Sequence, residues 1–202
     1  MEIVLASASP RRSQLLNQLN LSFTVSPSHI EEVMDMSLPA DRLVESLAMQ
    51  KGESVVKDHP TSFIIAADTI VCLNGVYLGK PESAHEAMEM LTDMSDKSHE
   101  VYSGVWLAVS NSSGQIQRTI TFSEKTKVTF GALDPVDIKR YIAGGSPMDK
   151  AGSYGIQDDF GAVFVKSIEG DYNNVVGFPL YAFYQQVKNH FPDVFKKHFI
   201  SQ

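Results

Sequence analysis

The segment Ser7-Ala8-Ser9-Pro10-Arg11-Arg12 constrains the fold of this chain most strongly. It follows the apolar run Ile3-Val4-Leu5-Ala6 and precedes a stretch with leucines at helical spacing, which predicts a strand, a tight turn and a helix. Ser9 is the expected N-cap, and Pro10 suits the first helical position. Free N–H groups at a helix start attract anions, and arginine matches phosphate oxygens in a bidentate fork. The motif therefore indicates a phosphate site, although a capped surface helix with two solvated arginines explains it equally well.

Length and composition favour a single domain, expected over residues 1–202 as two lobes around a cleft. The chain has 202 residues, of which 43% are hydrophobic and 20% charged, as in globular proteins with a full core. It contains no apolar run near the roughly 18–20 residues of a membrane span. Met1-Glu2-Ile3 lacks the basic region of a signal peptide, and the single cysteine, Cys72, excludes an internal disulfide. We expect a cytoplasmic protein in which Cys72 is a buried, inert thiol.

The charge balance limits the possible partners. A formal net charge of −7, from 17 basic and 24 acidic residues, argues against a long nucleic acid bound on a basic face. A small anionic ligand remains compatible, because a few clustered cations or a bound divalent metal can make a local positive site. The six histidines have no metal-site spacing, and the Gly-x-Gly-x-x-Gly and P-loop fingerprints are absent.

Strand and helix patterns alternate along the chain, with hairpins between some of them. This predicts an α/β fold with a mixed sheet and flanking helices. Strands are expected at 3–7, 22–26, 62–73, 76–78, 100–109, 115–130, 162–169 and 173–176, and helices at 10–20, 40–56, 83–94, 134–144 and 179–190. The tail 191–202 is expected either to pack as a short helix or to fray.

Two acidic positions are candidates for chemistry. Asp68 falls in the middle of an apolar strand, where an unpaired carboxylate is costly, so it needs a metal, a cation or hydrogen-bond donors. The alternative is a structural aspartate paired with an arginine. Glu32, in the pair Glu31-Glu32, offers a second carboxylate, and Mg²⁺ is held by one or two carboxylates plus phosphate oxygens. The alternative for this pair is a solvated loop.

Lysines and a glycine-rich loop add candidate phosphate and base contacts. Lys80 follows the predicted hairpin, and Lys150 lies in the glycine-punctuated loop 147–157, so each can bring a point charge to a phosphate chain. Lys51, on the polar side of its helix, is a weaker candidate, with a surface lysine as the alternative. Gln157 carries both donors and acceptors, as needed to contact a nucleobase edge.

Five segments of the chain resemble, in sequence and in order, those of the Maf family of Maf/Ham1-like nucleoside triphosphate pyrophosphatases. The resemblance covers nearly the whole chain and is carried by 7–12, 67–69, 79–81, 147–157 and 170–179. It implies an elongated α/β fold of the inosine triphosphatase type, around a mixed sheet with a central cleft. It also implies hydrolysis of a nucleoside triphosphate to the monophosphate and pyrophosphate with a divalent metal, Mg²⁺ or Mn²⁺. Family members are associated with removal of modified nucleotides and often form homodimers.

The resemblance also implies roles for individual positions. Asp68, Glu32, Lys51 and Lys80 are expected to be catalytic, with Asp68 and Glu32 as metal ligands. Substrate contacts are expected from Ser7, Ser9, Arg11, Arg12, Thr69, Lys150 and Gln157. The combination of Arg11, Thr69 and Gln157 is similar to that of the branch acting on dTTP and UTP rather than on 7-methyl-GTP.

Three other interpretations remain at this point. The first is a nucleotide-binding regulator of cell division without turnover, and the second is a phosphatase that releases orthophosphate from a small phosphoester. The third is a pyrophosphatase of the 7-methyl-GTP branch. Product identity and base preference separate all three from a dTTP/UTP pyrophosphatase.

Overall fold

The computed structural model describes residues 1–157 and 159–200, which fall into two compact units. Unit 1 comprises Met1–Asp68, Ser103–Glu124 and the chain from Gly177 onward, and unit 2 comprises Thr69–Tyr102 and Lys125–Val176. The arrangement expected from the sequence, two lobes around a cleft, stays a prediction.

A mixed sheet of seven strands is the framework of the described residues. The strands are β1 (Glu2–Leu5), β2 (Thr24–Val25), β3 (Ser62–Leu73), β4 (Val76–Leu78), β5 (Ser98–Ser110), β6 (Ile116–Phe130) and β7 (Val165–Glu169). Their order is β2-β1-β3-β5-β6-β7, with β4 paired to β3. Strand β1 is parallel to β2 and β3, which follow it after helical connections, whereas the hairpin partners β3 and β4 are antiparallel.

Helices connect and flank these strands. They are α1 (Pro10–Asn17), α2 (Ala40–Val56), α3 (Ala84–Met94), α4 (Pro135–Ala143), α5 (Tyr172–Val176), α6 (Leu180–His190) and α7 (Pro192–Phe195). Short 3₁₀ segments occupy Ser146–Asp149, Ala151–Ser153 and Asp159–Phe164. The expected α/β class with a mixed sheet and flanking helices is confirmed. No helix among the described residues is long and apolar enough to cross a membrane.

Unit 1 is built on a close approach between α2 and β5. A Cβ atom placed on Gly52 would lie 2.1 Å from the Trp106 ring, and one on Gly104 would lie 2.2 Å from the backbone of Val44. Both distances are far below van der Waals contact, so only glycine permits this separation of helix and strand. The core at this contact also contains Val4, Ala6, Ala48, Val55, Val56, Ile64, Ala66 and Ala108.

Unit 2 has an aromatic core around a buried histidine. His99 is 2% exposed, and its ring packs edge-on against Phe130 and Tyr154 at centroid distances of 4.9 and 5.2 Å. Its Nε2 forms a 2.8 Å hydrogen bond with the Tyr154 hydroxyl, while Nδ1 is buried without a hydrogen-bond partner. Burial lowers the pKa of His99 to about 4, so this imidazole is neutral at physiological pH.

The strand expected at 173–176 is wrong, because these residues form the helical turn α5. The side chain of Asp171 accepts from the backbone N–H of Asn173 at 2.8 Å and so starts the turn. The turn directs Asn174 into the core, where its Nδ2 donates to the Val101 carbonyl at 3.1 Å. These polar contacts outweigh the strand preference of the neighbouring valines.

Other differences from the sequence prediction are smaller. The strand expected at 162–169 begins only at Val165, after a 3₁₀ segment. The tail packs, since Phe191 is fully buried and Phe195 is 8% exposed, and helical structure continues to Ile200. Ser201 and Gln202 lie outside the described residues. Cys72 is buried as expected, and burial raises the pKa of its thiol.

We predict that Gly104→Ala destabilises the protein severely. The new methyl group would meet the backbone of α2 rather than a flexible side chain, so the free energy of unfolding should fall by about 3 kcal/mol or more. Urea denaturation measures this loss. Gly131→Ala is the matched control, because a Cβ there would have no heavy atom within 4 Å. Equal stability of the two variants would contradict the close approach.

We predict that His99 makes the protein less stable as the pH falls. Its pKa of about 4 in the folded state lies below the ordinary value of 6.5, so between these values the unfolded chain binds more protons. The free energy of unfolding should therefore decrease as the pH drops from about 6.5 towards 4. Between pH 7 and pH 5, wild type should lose about 2 kcal/mol more than His99→Gln, which cannot titrate. Urea denaturation of both proteins at both pH values tests this, and identical losses would contradict it.

Candidate active site

The predicted strand, turn and helix at the N-terminus are confirmed. Strand β1 ends at Leu5 and α1 begins at Pro10, with Ser9 in extended conformation as its N-cap. The Ser9 hydroxyl accepts from the Arg12 N–H at 3.5 Å, a long capping bond. Arg11, at the second position of α1, is half-buried.

Arg12 is a buried cation rather than a solvated surface residue. It is 8% exposed, its Nη1 donates to the Ser7 hydroxyl at 3.0 Å, and its Nε donates to the Gly177 carbonyl at 3.1 Å. Burial lowers the pKa of the guanidinium, and the negative charges of Asp68 and Glu32 oppose that shift. Within unit 1, the structure therefore links Arg12 with Gly177, and the charge of Arg12 with the acidic positions Asp68 and Glu32.

Asp68 lies on β3 and is paired with Lys51 of α2. Strand β3 is buried along its length except at Asp68 and Thr69, which are half-buried. Lys51 Nζ donates to Asp68 Oδ1, and the two side chains are each 15% exposed. Asp68 thus has a partner that burial requires, the ammonium of Lys51, and its charge also acts on the Arg12 guanidinium.

Glu32 reaches the same lysine from a loop. Lys51 Nζ lies 3.1 Å from Glu32 Oε1, so one ammonium contacts both candidate carboxylates. The loop between β2 and α2 has no strand or helix at this point, and residues 29–37 are all exposed. Of the two adjacent glutamates, Glu32 is therefore the one that the structure brings to Lys51.

Gln50 is a residue that the sequence prediction missed. Its Oε1 accepts from the Val33 N–H at 2.9 Å, and its Nε2 donates to the Val33 carbonyl at 3.1 Å. The same Nε2 lies 3.3 Å from the Ser46 hydroxyl. In the sequence, Gln50 is one polar residue of the predicted helix among several, and its position next to Lys51 is the only signal of its role.

The carboxylates fit a divalent metal that is shared with a substrate. Among the described residues, no group of three or more histidine, cysteine, aspartate or glutamate side chains is arranged to hold a metal ion. A cage made by protein side chains alone is therefore not found in this part of the chain. Asp68 and Glu32 do converge on one cationic point, and two carboxylates completed by phosphate oxygens and water are a typical Mg²⁺ donor set.

Four of the expected site residues belong to unit 2. Thr69 and Gln157 are half-buried, and Lys80 is exposed at the end of the β3–β4 hairpin. The Gly152 N–H donates to the Gly79 carbonyl at 3.0 Å, which links segments 79–81 and 147–157.

Lys150 has a structural role in its own loop. It is 7% exposed, and its Nζ donates to the Ser146 carbonyl at 2.6 Å and to Asp149 Oδ1 at 2.8 Å. Its contribution to phosphate binding stays a prediction, as do the roles of Thr69, Lys80 and Gln157.

The comparisons with known proteins agree with the motifs. A protein named dTTP/UTP pyrophosphatase from Halalkalibacterium halodurans is 49% identical over 188 residues, which cover 93% of this chain and 95% of the relative. Relatives with the same name from Shouchella clausii and Bacillus cytotoxicus are 45% and 46% identical, over 88% and 93% of this chain and 89% and 94% of theirs.

A more distant likeness is to the solved structure of the Staphylococcus aureus Ham1 protein. It has 18% identity and a TM-score of 0.43, over 64% of this chain and 72% of that one. This likeness is too weak to support an assignment, which rests on the sequence match. The model of the family described as Maf-like protein matches residues 2–190, and the chain therefore belongs to the Maf-like protein family.

Proposed function

We propose that this protein hydrolyses dTTP and UTP to the nucleoside monophosphate and pyrophosphate. The observation that carries the proposal is the convergence of Asp68 and Glu32 on Lys51, in the unit that also holds the buried Arg12. Such a cluster combines negative groups for a metal and a water with positive groups for phosphate oxygens. The names of relatives at 45–49% identity support the same reaction.

The proposed reaction is an in-line displacement at the α-phosphorus. A water oxygen forms a bond to that phosphorus while the bond from the phosphorus to the bridging oxygen of the β-phosphate breaks. Pyrophosphate leaves with the electron pair of the broken bond, and the proton of the water passes to a carboxylate and then to solvent. We assign the orientation of the water and the acceptance of its proton to Asp68 or Glu32.

The cations would stabilise the negative charge that develops during this displacement. A lysine ammonium has three N–H donors, and the contacts of Lys51 with Asp68 and Glu32 use two of them. The third can donate to a phosphate oxygen. Arg11 and Arg12, at the start of α1, would contact the phosphate chain together with the capped helix terminus, and Lys80 would neutralise the leaving group.

Asp68 and Glu32 would hold a divalent cation, Mg²⁺ or Mn²⁺. When bound, it would neutralise phosphate charge and polarise the phosphate oxygens. Without it, two carboxylates would face an anionic substrate with Lys51 as their shared counter-charge.

Substrate choice is assigned to Arg11, Thr69 and Gln157. The side-chain amide of Gln157 can pair with both O4 and N3–H of uracil or thymine. Cytosine presents its donor and acceptor in exchanged places, and a rotated amide can follow that exchange, so discrimination against cytosine should be modest. Lys150, Ser7 and Ser9 complete the proposed substrate contacts.

The cellular setting belongs to the same proposal. We assign the protein to the cytoplasm as a homodimer that removes modified pyrimidine triphosphates from the nucleotide pool. The net charge of −7 disfavours binding of a long nucleic acid, whereas a small anionic substrate needs only a local positive site.

We predict that wild type with Mg²⁺ or Mn²⁺ releases pyrophosphate fastest from dTTP and UTP. The measurement is a steady-state panel of dTTP, UTP, CTP, 7-methyl-GTP, ITP and the purine triphosphates, assayed for pyrophosphate and orthophosphate separately. If pyrophosphate were released mainly from 7-methyl-GTP, the proposed reaction would stand, but the roles assigned to Arg11, Thr69 and Gln157 would be contradicted. Orthophosphate as the first product would indicate a phosphatase. Nucleotide binding without turnover would indicate a regulator.

We predict that Asp68→Asn lowers kcat by about a hundredfold to ten-thousandfold, the contribution of a positioned acid or base. The variant should remain folded, because the amide fits the volume of the carboxylate and Lys51 keeps Glu32 as a partner. Initial rates with dTTP and a thermal unfolding curve measure the two effects. Asp58→Asn, at an exposed position after α2, is the matched control and should keep the wild-type rate. A wild-type rate for Asp68→Asn would exclude Asp68 from the chemistry.

A further inference from the structure

We infer that Gln50 is a positioning residue for Glu32. The inference deepens the proposed function, since it names the group that holds one of the two metal-binding carboxylates in place. It rests on two hydrogen bonds between the Gln50 side chain and the backbone of the residue that follows Glu32.

The carboxamide of Gln50 pairs with Val33 as a backbone strand would. It accepts from the Val33 N–H at 2.9 Å and donates to the Val33 carbonyl at 3.1 Å, so both polar groups of that residue are satisfied by one side chain. Because two hydrogen bonds join the same two residues, they fix both the distance of the loop backbone from α2 and the direction in which the loop runs. An amide side chain supplies a donor and an acceptor side by side, which matches the N–H and carbonyl of one residue.

The contact at Glu32 does not fix the loop by itself. Glu32 is 36% exposed and has several rotatable bonds, and an ion pair at such exposure contributes little to order. In the part of the chain that the structure describes, residues 28–34 reach α2 by hydrogen bonds or ion pairs at three places. The Ser54 hydroxyl donates to the Ser28 hydroxyl at 2.9 Å, four residues before Glu32, and the other two contacts are the Glu32–Lys51 pair and the Val33–Gln50 pair. Of the two hydrogen-bonded places, Val33–Gln50 is the one directly beside Glu32.

The two pairs lie side by side. Glu32 and Val33 are adjacent in the loop, and Lys51 and Gln50 are adjacent in α2, so the amide pair sets the register in which the carboxylate meets the ammonium. The Ser46 hydroxyl, one turn earlier on α2, lies 3.3 Å from Gln50 Nε2 and restricts the rotation of the carboxamide. Groups of this kind around a metal ligand typically contribute tenfold to a hundredfold to metal affinity or activity.

The test compares Mn²⁺ binding to wild type, Gln50→Met, Glu32→Gln and the double variant, each with saturating dTMP to supply the phosphate oxygens of the site. Binding is measured by the electron paramagnetic resonance of free Mn²⁺. Methionine keeps the length and packing of the side chain but forms neither hydrogen bond. We expect Gln50→Met to weaken Mn²⁺ binding about tenfold. If Gln50 acts through Glu32, the double variant should bind Mn²⁺ no more weakly than Glu32→Gln alone.

The control is Val33→Ala, which removes a side chain that is 71% exposed and keeps both backbone hydrogen bonds. It should bind Mn²⁺ as wild type does, and thermal unfolding should show all four variants folded. The inference would be overturned if Gln50→Met bound Mn²⁺ with wild-type affinity. It would also be overturned if the double variant lost Mn²⁺ affinity by the product of the two single losses. Absence of Mn²⁺ binding to wild type would overturn it together with the metal role of Glu32.

Pyrophosphate release, measured separately, distinguishes this inference from the proposed function. A wild type that hydrolyses dTTP, with a Gln50→Met variant of unchanged Mn²⁺ affinity, would retain the function and reject the positioning role. A wild type without turnover in which Gln50→Met still weakens Mn²⁺ binding through Glu32 would reject the function and retain the positioning role.

Discussion

The close approach of α2 to β5 is the constraint on which the candidate site of unit 1 depends. Gly52 and Gly104 allow it, because any side chain at either position would overlap Trp106 or the backbone of Val44. Consecutive residues of a helix point about 100° apart, so Gln50, Lys51 and Gly52 have three different surroundings. Gly52 seats the helix on the sheet, Lys51 meets the carboxylates, and Gln50 meets the loop. A shift of α2 would therefore move every one of these contacts.

The sequence predicts the elements of this region well and their contacts less well. The helix at 40–56 and the strand at 62–73 agree with the structure to the residue. Both are long runs with clear ends, one with helical spacing of apolar residues and one almost wholly apolar, and such runs are the strongest sequence signal of secondary structure. The need of Asp68 for a partner also follows from its neighbours. That the partner is Lys51 does not, since the pairing depends on how closely α2 lies on the sheet, and that distance is set by glycines with no local signature.

The missed features share a physical reason. Helix α5 is started locally by the Asp171 side chain, but it is fixed by the buried amide of Asn174, whose partner, the Val101 carbonyl, lies 73 positions earlier. Gln50 likewise acts through a backbone that lies 17 positions earlier. A side chain that contacts a distant backbone group leaves no periodic pattern in the sequence. The sequence therefore shows that Asn174 and Gln50 are polar, but not which backbone groups they bind.

The charge balance in unit 1 explains why a divalent cation and further basic residues belong to the proposed reaction. Arg12 and Lys51 are matched by Asp68 and Glu32, so this set is close to neutral before a nucleotide arrives. Burial of an unmatched charge is costly, so the buried Arg12 and the largely buried Lys51 favour acidic groups beside them. A triphosphate adds several negative charges to a set with no surplus of positive charge. The counter-charge must therefore come from outside it, and Arg11, Lys80 and a metal held by the two carboxylates are the sources that the proposal names.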